Sequence, residues 1–383
     1  MRLDNVPEEA EGSRTQTSLC CRVLKSLLLC TGEIKQLDVY MEGKLFGLQL
    51  VVWGLRGVAG VILANNPLSG VLILASVFWT SPWQALLGTL GTLISTLTAI
   101  IMGQDRADVT RGEHGINGML VALMMGAYSS AGDWYWWLLL PVCMGSVACV
   151  FFHSGLSSFL DGCGVPASVF PFNIVTVLYL LCTGPNNPYY PHYRVAPPWE
   201  TEPNGTGLAA VEVTHGIILG VGQIYTCGDL GPSLLILGAV LLYSPLLTFH
   251  ALLGSAIGTL AGLSVAVHHD FLYTGLSGFN GALGCMVIGG LNFTFSWKTH
   301  LYAVATAFLS AYVDIALSNL LGTIGLPALS WAATLTSTLM LLQNGNLAKY
   351  RVPADQVMSP EHNLRSWSQR EAKNASETVN AVV

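Results

Sequence analysis

Apolar residues run in blocks of membrane-spanning length along most of the chain: Leu45 to Ala64, Trp83 to Met102, Trp134 to Phe152, Leu246 to Val267 and Leu301 to Leu321. Each approaches the ~20 residues that a helix needs to cross a hydrocarbon core, so each predicts a transmembrane helix. Shorter apolar pieces lie between them. Leu68 to Thr80 is enclosed by Asn65-Asn66-Pro67 and Ser81-Pro82, and Ile116 to Ala127 follows a glycine-rich turn. Neither is long enough to cross. Both predict re-entrant helices, because irregular backbone at membrane depth survives only where protein or a wet cavity satisfies its polar groups.

The pattern repeats. Gly112-Glu113-His114-Gly115-Ile116-Asn117-Gly118-Met119-Leu120 returns 163 positions later (112 to 275) as Gly275-Leu276-Ser277-Gly278-Phe279-Asn280-Gly281-Ala282-Leu283. The same spacing lays Ser69 to Ala75 on Pro232 to Gly238, and Gly164-Val165-Pro166-Ala167 returns as Gly325-Leu326-Pro327-Ala328 at a spacing of 161. Lys and Arg gather in residues 1–43 and 349–383, whereas the Pro-, Asn- and Tyr-rich segment 184–210 carries only Arg194 and the sequon Asn204-Gly205-Thr206. Positive charge marks both tails as cytoplasmic and the central loop, with its glycosylation acceptor Asn204, as extracellular. An odd number of crossings then separates each tail from the middle, so the repeats are inverted and a substrate site is expected between them at the midplane. The chain divides into a cytoplasmic tail (1–43), a first membrane repeat (44–183), the loop (184–210), a second repeat (211–348) and a second cytoplasmic tail (349–383).

Composition narrows the class further. Of 383 residues 52% are hydrophobic and 10% charged, far below the roughly 25% charge of soluble domains. A net charge of −6 without a basic stripe excludes nucleic acid and leaves membrane lipid as the surroundings. The first 43 residues show no apolar run with a small-residue cleavage site, so no removable signal peptide is expected. Cys143, Cys149, Cys182 and Cys285 lie in apolar runs and read as small hydrophobes, while Cys20, Cys21 and Cys30 read equally as free or S-acylated thiols. No H-x-x-E-H, G-x-S-x-G or P-loop occurs, and His268, His269 and Asp270 read as a loop; no enzyme, cofactor or metal is implied.

Leu55-Arg56-Gly57, Asn65-Asn66-Pro67-Leu68-Ser69-Gly70, Gln104-Asp105-Arg106, Trp136 to Cys143, Pro171-Phe172-Asn173, Gly220 to Tyr225 and Thr299-His300-Leu301 together resemble the vertebrate urea transporter family, from about Leu45 to about Lys349. The resemblance implies an all-α plasma-membrane protein. It has ten spanning helices as two inverted five-helix repeats with re-entrant pore helices, forms a homotrimer with one pore per subunit, and carries urea passively.

Pores of this family form a flat slot from an aromatic and a leucine four residues apart in each half. The matching positions here are Ile116 with Leu120 and Phe279 with Leu283, with Asn117 and Asn280 in the same turns. The resemblance also implies a hydroxyl near the centre and a glutamine-type residue at the entrance of each half. The second half keeps Ser330 and Gln223, but Val169 and Gly60 stand at the corresponding positions of the first. Fewer polar groups leave open a broader channel for ammonia, small amides or water. An ion-coupled transporter needs acidic or carbonyl sites, for which Glu113 and Asp314 are the candidates. Glu113 and His114 read either as a titratable gate or as a rim paired with Arg111, and Arg56 as a helix-end or interface arginine.

Overall fold

A computed structural model of the chain describes residues 31–129, 132–184, 187, 207–343 and 345–382. Cys20, Cys21, Cys30, Arg194 and Asn204 lie outside the described residues. The first half comprises α1 Phe46–Gly60, α2 Pro67–Thr80, α3 Pro82–Ile101, the short α4 Arg106–Arg111, α5 Glu113–Ala127, α6 Leu139–Leu160 and α7 Phe170–Thr183. The second half runs in the same order: α8 Ala210–Gly222, α9 Leu230–Tyr243, α10 Pro245–Ser264, the short α11 His269–Tyr273, α12 Phe279–Ile288, α13 Trp297–Gly322 and α14 Trp331–Leu341. A further helix, α15 Pro360–Val382, follows.

Local sequence explains where the helices begin. Asn66 caps α2 by accepting from the Leu68 and Ser69 amides, and Pro67 occupies the first turn, where its missing N–H is not needed. Ser81-Pro82 and Ser244-Pro245 do the same for α3 and α10: each serine is extended, at φ −151° and −156°, and its side chain accepts a backbone amide of the new helix. The run Leu45 to Ala64 does not make one long helix as its composition suggested. α1 stops at Gly60, and Leu63, at φ 63°, turns the chain toward Asn65-Asn66-Pro67. His268, His269 and Asp270 are likewise not a loop, because His268 Nδ1 accepts from the Asp270 amide at 3.3 Å and starts α11.

α3, α10, α13 and the extended α6 (Trp136–Cys163) are long and apolar enough to cross a membrane, and Ala210–Tyr225 with α9, bent by 74°, forms a fifth, broken candidate. α1, α2, α7 and α12 are apolar helices of 10 to 15 residues.

The repeat is visible in the backbone itself. Left-handed residues occur in corresponding pairs: Leu63 and Thr226, Gly103 and Ala266, Gly112 and Gly275, Gly164 and Gly325, Ser168 and Leu329. The halves meet where α2 and α9 cross. Ser69 Oγ donates to the Ala239 carbonyl and Ser76 Oγ to the Pro232 carbonyl, both at 2.7 Å. Ser69 corresponds to Pro232 and Ser76 to Ala239, so the two contacts are images of one another across a two-fold axis, and the helices run antiparallel. Close approach within each half needs glycine. A Cβ on Gly118 of α5 would collide with the Gly91 carbonyl of α3, and one on Gly281 of α12 with the Gly254 carbonyl of α10.

Candidate functional site

A cavity of about 910 Å³ lies between the halves and takes wall residues from both. Ile116 and Leu120 reach it from one helical turn of α5, and Phe279 and Leu283 from one turn of α12. Gly60, Val169, Gln223 and Ser330 also line it, so eight of the ten candidate pore positions share one space. The unequal pair Gly60 and Gln223 has a steric cause. A Cβ at Gly60 would sit 2.8 Å from Ile116 Cδ1, so the glycine makes room for the isoleucine. Gln223, by contrast, is tethered through Nε2 to the Thr274 carbonyl at 2.9 Å.

Asn117 and Asn280 do not belong to the wall. Both are buried, at 1% and 0% exposure, and act as staples behind it. Asn117 Nδ2 donates to the Ser168 carbonyl at 3.1 Å, and its Oδ1 accepts from the Phe172 amide at 3.0 Å. Asn280 repeats the pattern on the corresponding residues, donating to the Leu329 carbonyl at 3.0 Å and accepting from the Ala333 amide at 3.1 Å. Ser168 and Leu329 are the left-handed residues just before α7 and α14, a conformation that costs on the order of 1–3 kcal/mol and persists only when its surroundings hold it. The asparagines supply that restraint, which explains why N-G recurs in both turns.

At the centre the sequence reading missed a polar knot. Asn173 of α7 donates through Nδ2 to Ser330 Oγ at 3.1 Å and Thr334 Oγ1 at 3.3 Å, and its Oδ1 accepts from the Ser330 amide at 3.2 Å. The hydroxyl of the second half is therefore oriented by an amide of the first. The available signal was positional: Asn173 and Thr334 are polar residues at corresponding places of the two halves, at the spacing of 161.

At one end of the cavity Arg111 Nη2 bonds Asp108 Oδ1 at 2.6 Å and Arg111 Nε faces Glu113 Oε1 at 3.0 Å. Glu113, paired with Arg111, lines the cavity, and Asp161 adds a further carboxylate. His114 is not at the mouth. Its position on α5 turns it inward, where it is 3% exposed and packed edge-to-face on His153 of α6, with ring centroids 4.9 Å apart. Arg56 is not at a helix end either: it is 3% exposed inside α1 and donates through Nη1 to the Thr110 carbonyl at 3.1 Å, holding α4 against α1. Among the described residues no three His, Cys, Asp or Glu side chains gather as a metal site would require.

The Urea transporter family matches residues 51–345 of the chain. Urea transporter 1 of Capra hircus is 40% identical over 347 residues, covering 89% of this chain and 90% of the relative. Urea transporter 1 of Rattus norvegicus is 38% identical over 371 residues, covering 94% and 96%. The match takes in every helix from α2 to α14 and all eight candidate positions that line the cavity, so this multi-pass, channel-like membrane protein belongs to the urea transporter family.

Proposed function

We propose that urea diffuses passively through the cavity between the repeats, with Ile116, Leu120, Phe279 and Leu283 forming the faces of a flat slot. The observation that carries this reading is that the two pairs, equivalent by the repeat, face one space from opposite halves. Urea is flat and neutral, with one strong acceptor and four N–H donors. Apolar faces sieve it by shape, and edge acceptors replace the water it sheds. Ser330, oriented by Asn173, supplies a hydroxyl at the slot centre, and Gln223 a side-chain amide oxygen toward one entrance. Glu113, paired with Arg111, is a rim residue in this reading and not a gate. The protein works as a homotrimer in the plasma membrane, with ten crossings, both termini cytoplasmic and Asn204 on the outer side.

Purified protein in liposomes tests the reading by stopped-flow light scattering. A urea gradient alone is expected to drive rapid volume relaxation, with no effect of imposed sodium or proton gradients. Acceleration by either gradient would identify a coupled transporter and overturn passive flow. A second reading, a broader channel for ammonia, small amides or water, is favoured by Gly60 and Val169, which offer no polar side chain where the second half offers Gln223 and Ser330. The relative permeabilities measured in the same vesicles separate the two.

A further inference from the structure

The second half carries a buried carboxylate for which urea has no use. Asp314, in the middle of α13, is 1% exposed and lines the cavity. Its Oδ1 accepts from Asn280 Nδ2 at 2.8 Å, while its Oδ2 has no hydrogen-bond partner among the described residues. The same Asn280 side chain holds the Leu329 carbonyl and the Ala333 amide, and Leu329 and Ala333 line the cavity on either side of Ser330. One side chain thus fixes the carboxylate beside the slot. The equivalent staple of the first half manages without it: Asn117 holds the matching carbonyl and amide, and the residue corresponding to Asp314 is His153. The carboxylate is therefore an addition to the scaffold and not a requirement of it. Ser318, one turn further along α13, lines the same cavity, as does Ser337, whose buried hydroxyl also has no hydrogen-bond partner among the described residues.

A carboxylate buried at membrane depth with one oxygen unmatched costs several kcal/mol unless a proton or a cation compensates it. Among the described residues the arginine on the cavity wall, Arg111, is already paired with Asp108 and Glu113. We infer that Asp314, oriented by Asn280, forms a subsite for a small planar N–H cation of urea's own shape, namely guanidinium. This ion fits the same flat slot, and its paired N–H donors suit a carboxylate edge and a neighbouring hydroxyl. The inference rests on the reading that the slot admits urea.

The test measures urea flux in vesicles containing the full-length protein, with guanidinium chloride added far below denaturing concentrations and tetramethylammonium chloride as the ionic control. Guanidinium is expected to slow urea flux and tetramethylammonium to leave it unchanged. Asp314→Asn keeps the oxygen that Asn280 needs and removes the charge. Half-inhibition, normalised to that variant's own flux, is expected to rise by at least about tenfold, the loss of a charged hydrogen bond, and Asp314→Glu is expected to retain inhibition. Should a variant carry no flux, guanidinium-dependent thermal stabilisation of the purified protein, present in the parent and lost in Asp314→Asn, reads the subsite directly. No inhibition or stabilisation of the parent, or equal effects on parent and Asp314→Asn, would overturn the inference. A parent that passes no urea but is stabilised by guanidinium would instead overturn the proposed permeation path.

Discussion

Gly60 and Gln223 occupy equivalent positions, yet each is committed to its own neighbourhood, the glycine to the Ile116 side chain and the glutamine to the Thr274 carbonyl. Val169 and Ser330 differ in another way. Valine and threonine are nearly isosteric, so nothing in the packing compels the loss of the hydroxyl. These two first-half departures from polarity therefore predict opposite outcomes on repair. Val169→Thr adds an acceptor opposite Ser330 without added volume, and a net hydrogen bond of about 1 kcal/mol corresponds to roughly a fivefold rise in urea flux relative to water flux. Gly60→Gln drives its Cβ into Ile116, so urea flux is expected to fall, and Ile116→Ala in the same chain to restore part of it. Stopped-flow flux ratios check both. A flux ratio unmoved by Val169→Thr would show that the centre already has enough acceptors. Arg111 and Glu113 are each more than a third exposed, and such a pair is worth about 1 kcal/mol or less. Glu113→Gln is expected to hold its flux within about twofold of the parent between roughly pH 5.5 and 8. A pH step removed by that substitution would establish the gate instead.

The helices that carry the proposed slot are α5 and α12, and what aims them is the pair of asparagines that follow Ile116 and Phe279. Removing Asn117 strands the Ser168 carbonyl and the Phe172 amide. Removing Asn280 strands the Leu329 carbonyl, the Ala333 amide and one Asp314 oxygen. A buried group left unsatisfied costs about 1–3 kcal/mol. Asn117→Ala is expected to lower thermal stability in detergent measurably, and Asn280→Ala to lower it further, because it also isolates a carboxylate. Equal losses would show that Asp314 does not depend on Asn280. These elements also mark how far the sequence could be read. The short apolar helices between the long spans follow from local pattern, since apolar length is a property of short stretches, whereas Ile116, Leu120, Phe279 and Leu283 are legible as slot positions only through the family resemblance. Asn117 and Asn280 read as pore residues because their partners lie about fifty residues away, at turns whose left-handed backbone no side chain announces. Asn173 escaped for the same reason, its partner Ser330 belonging to the other half.

At the scale of the molecule the inverted repeat explains the scaffold but not the ends of the cavity. The segment after α14, which charge alone marks as a tail, folds back onto the membrane domain. The Thr294 amide donates to the Tyr350 carbonyl at 2.7 Å, Glu361 accepts from Ser244 and Leu246 at the start of α10, and Asn363 Nδ2 donates to the Gly290 and Leu291 carbonyls. Between these anchors Arg351 reaches the other repeat, its Nη2 donating to the Gly164 carbonyl at 2.6 Å, and Ala354, Val357 and Met358 line the cavity itself. The proposed path is thus lined in part by residues of the segment that follows the second repeat. A constriction outside the slot sets a size limit without altering hydrogen-bond selectivity. Met358→Ala shortens a flexible side chain and disturbs none of the anchors. It is expected to raise the permeability of bulkier neutral amides such as N,N′-dimethylurea by roughly two- to fivefold while urea itself changes less. Arg351→Ala, which frees the segment from Gly164, is expected to act in the same direction. Vesicle shrinkage driven by each solute in turn measures the ratio. A dimethylurea-to-urea ratio unchanged in both variants would place the size limit at the Ile116–Phe279 slot and leave the segment a purely structural tie between the repeats.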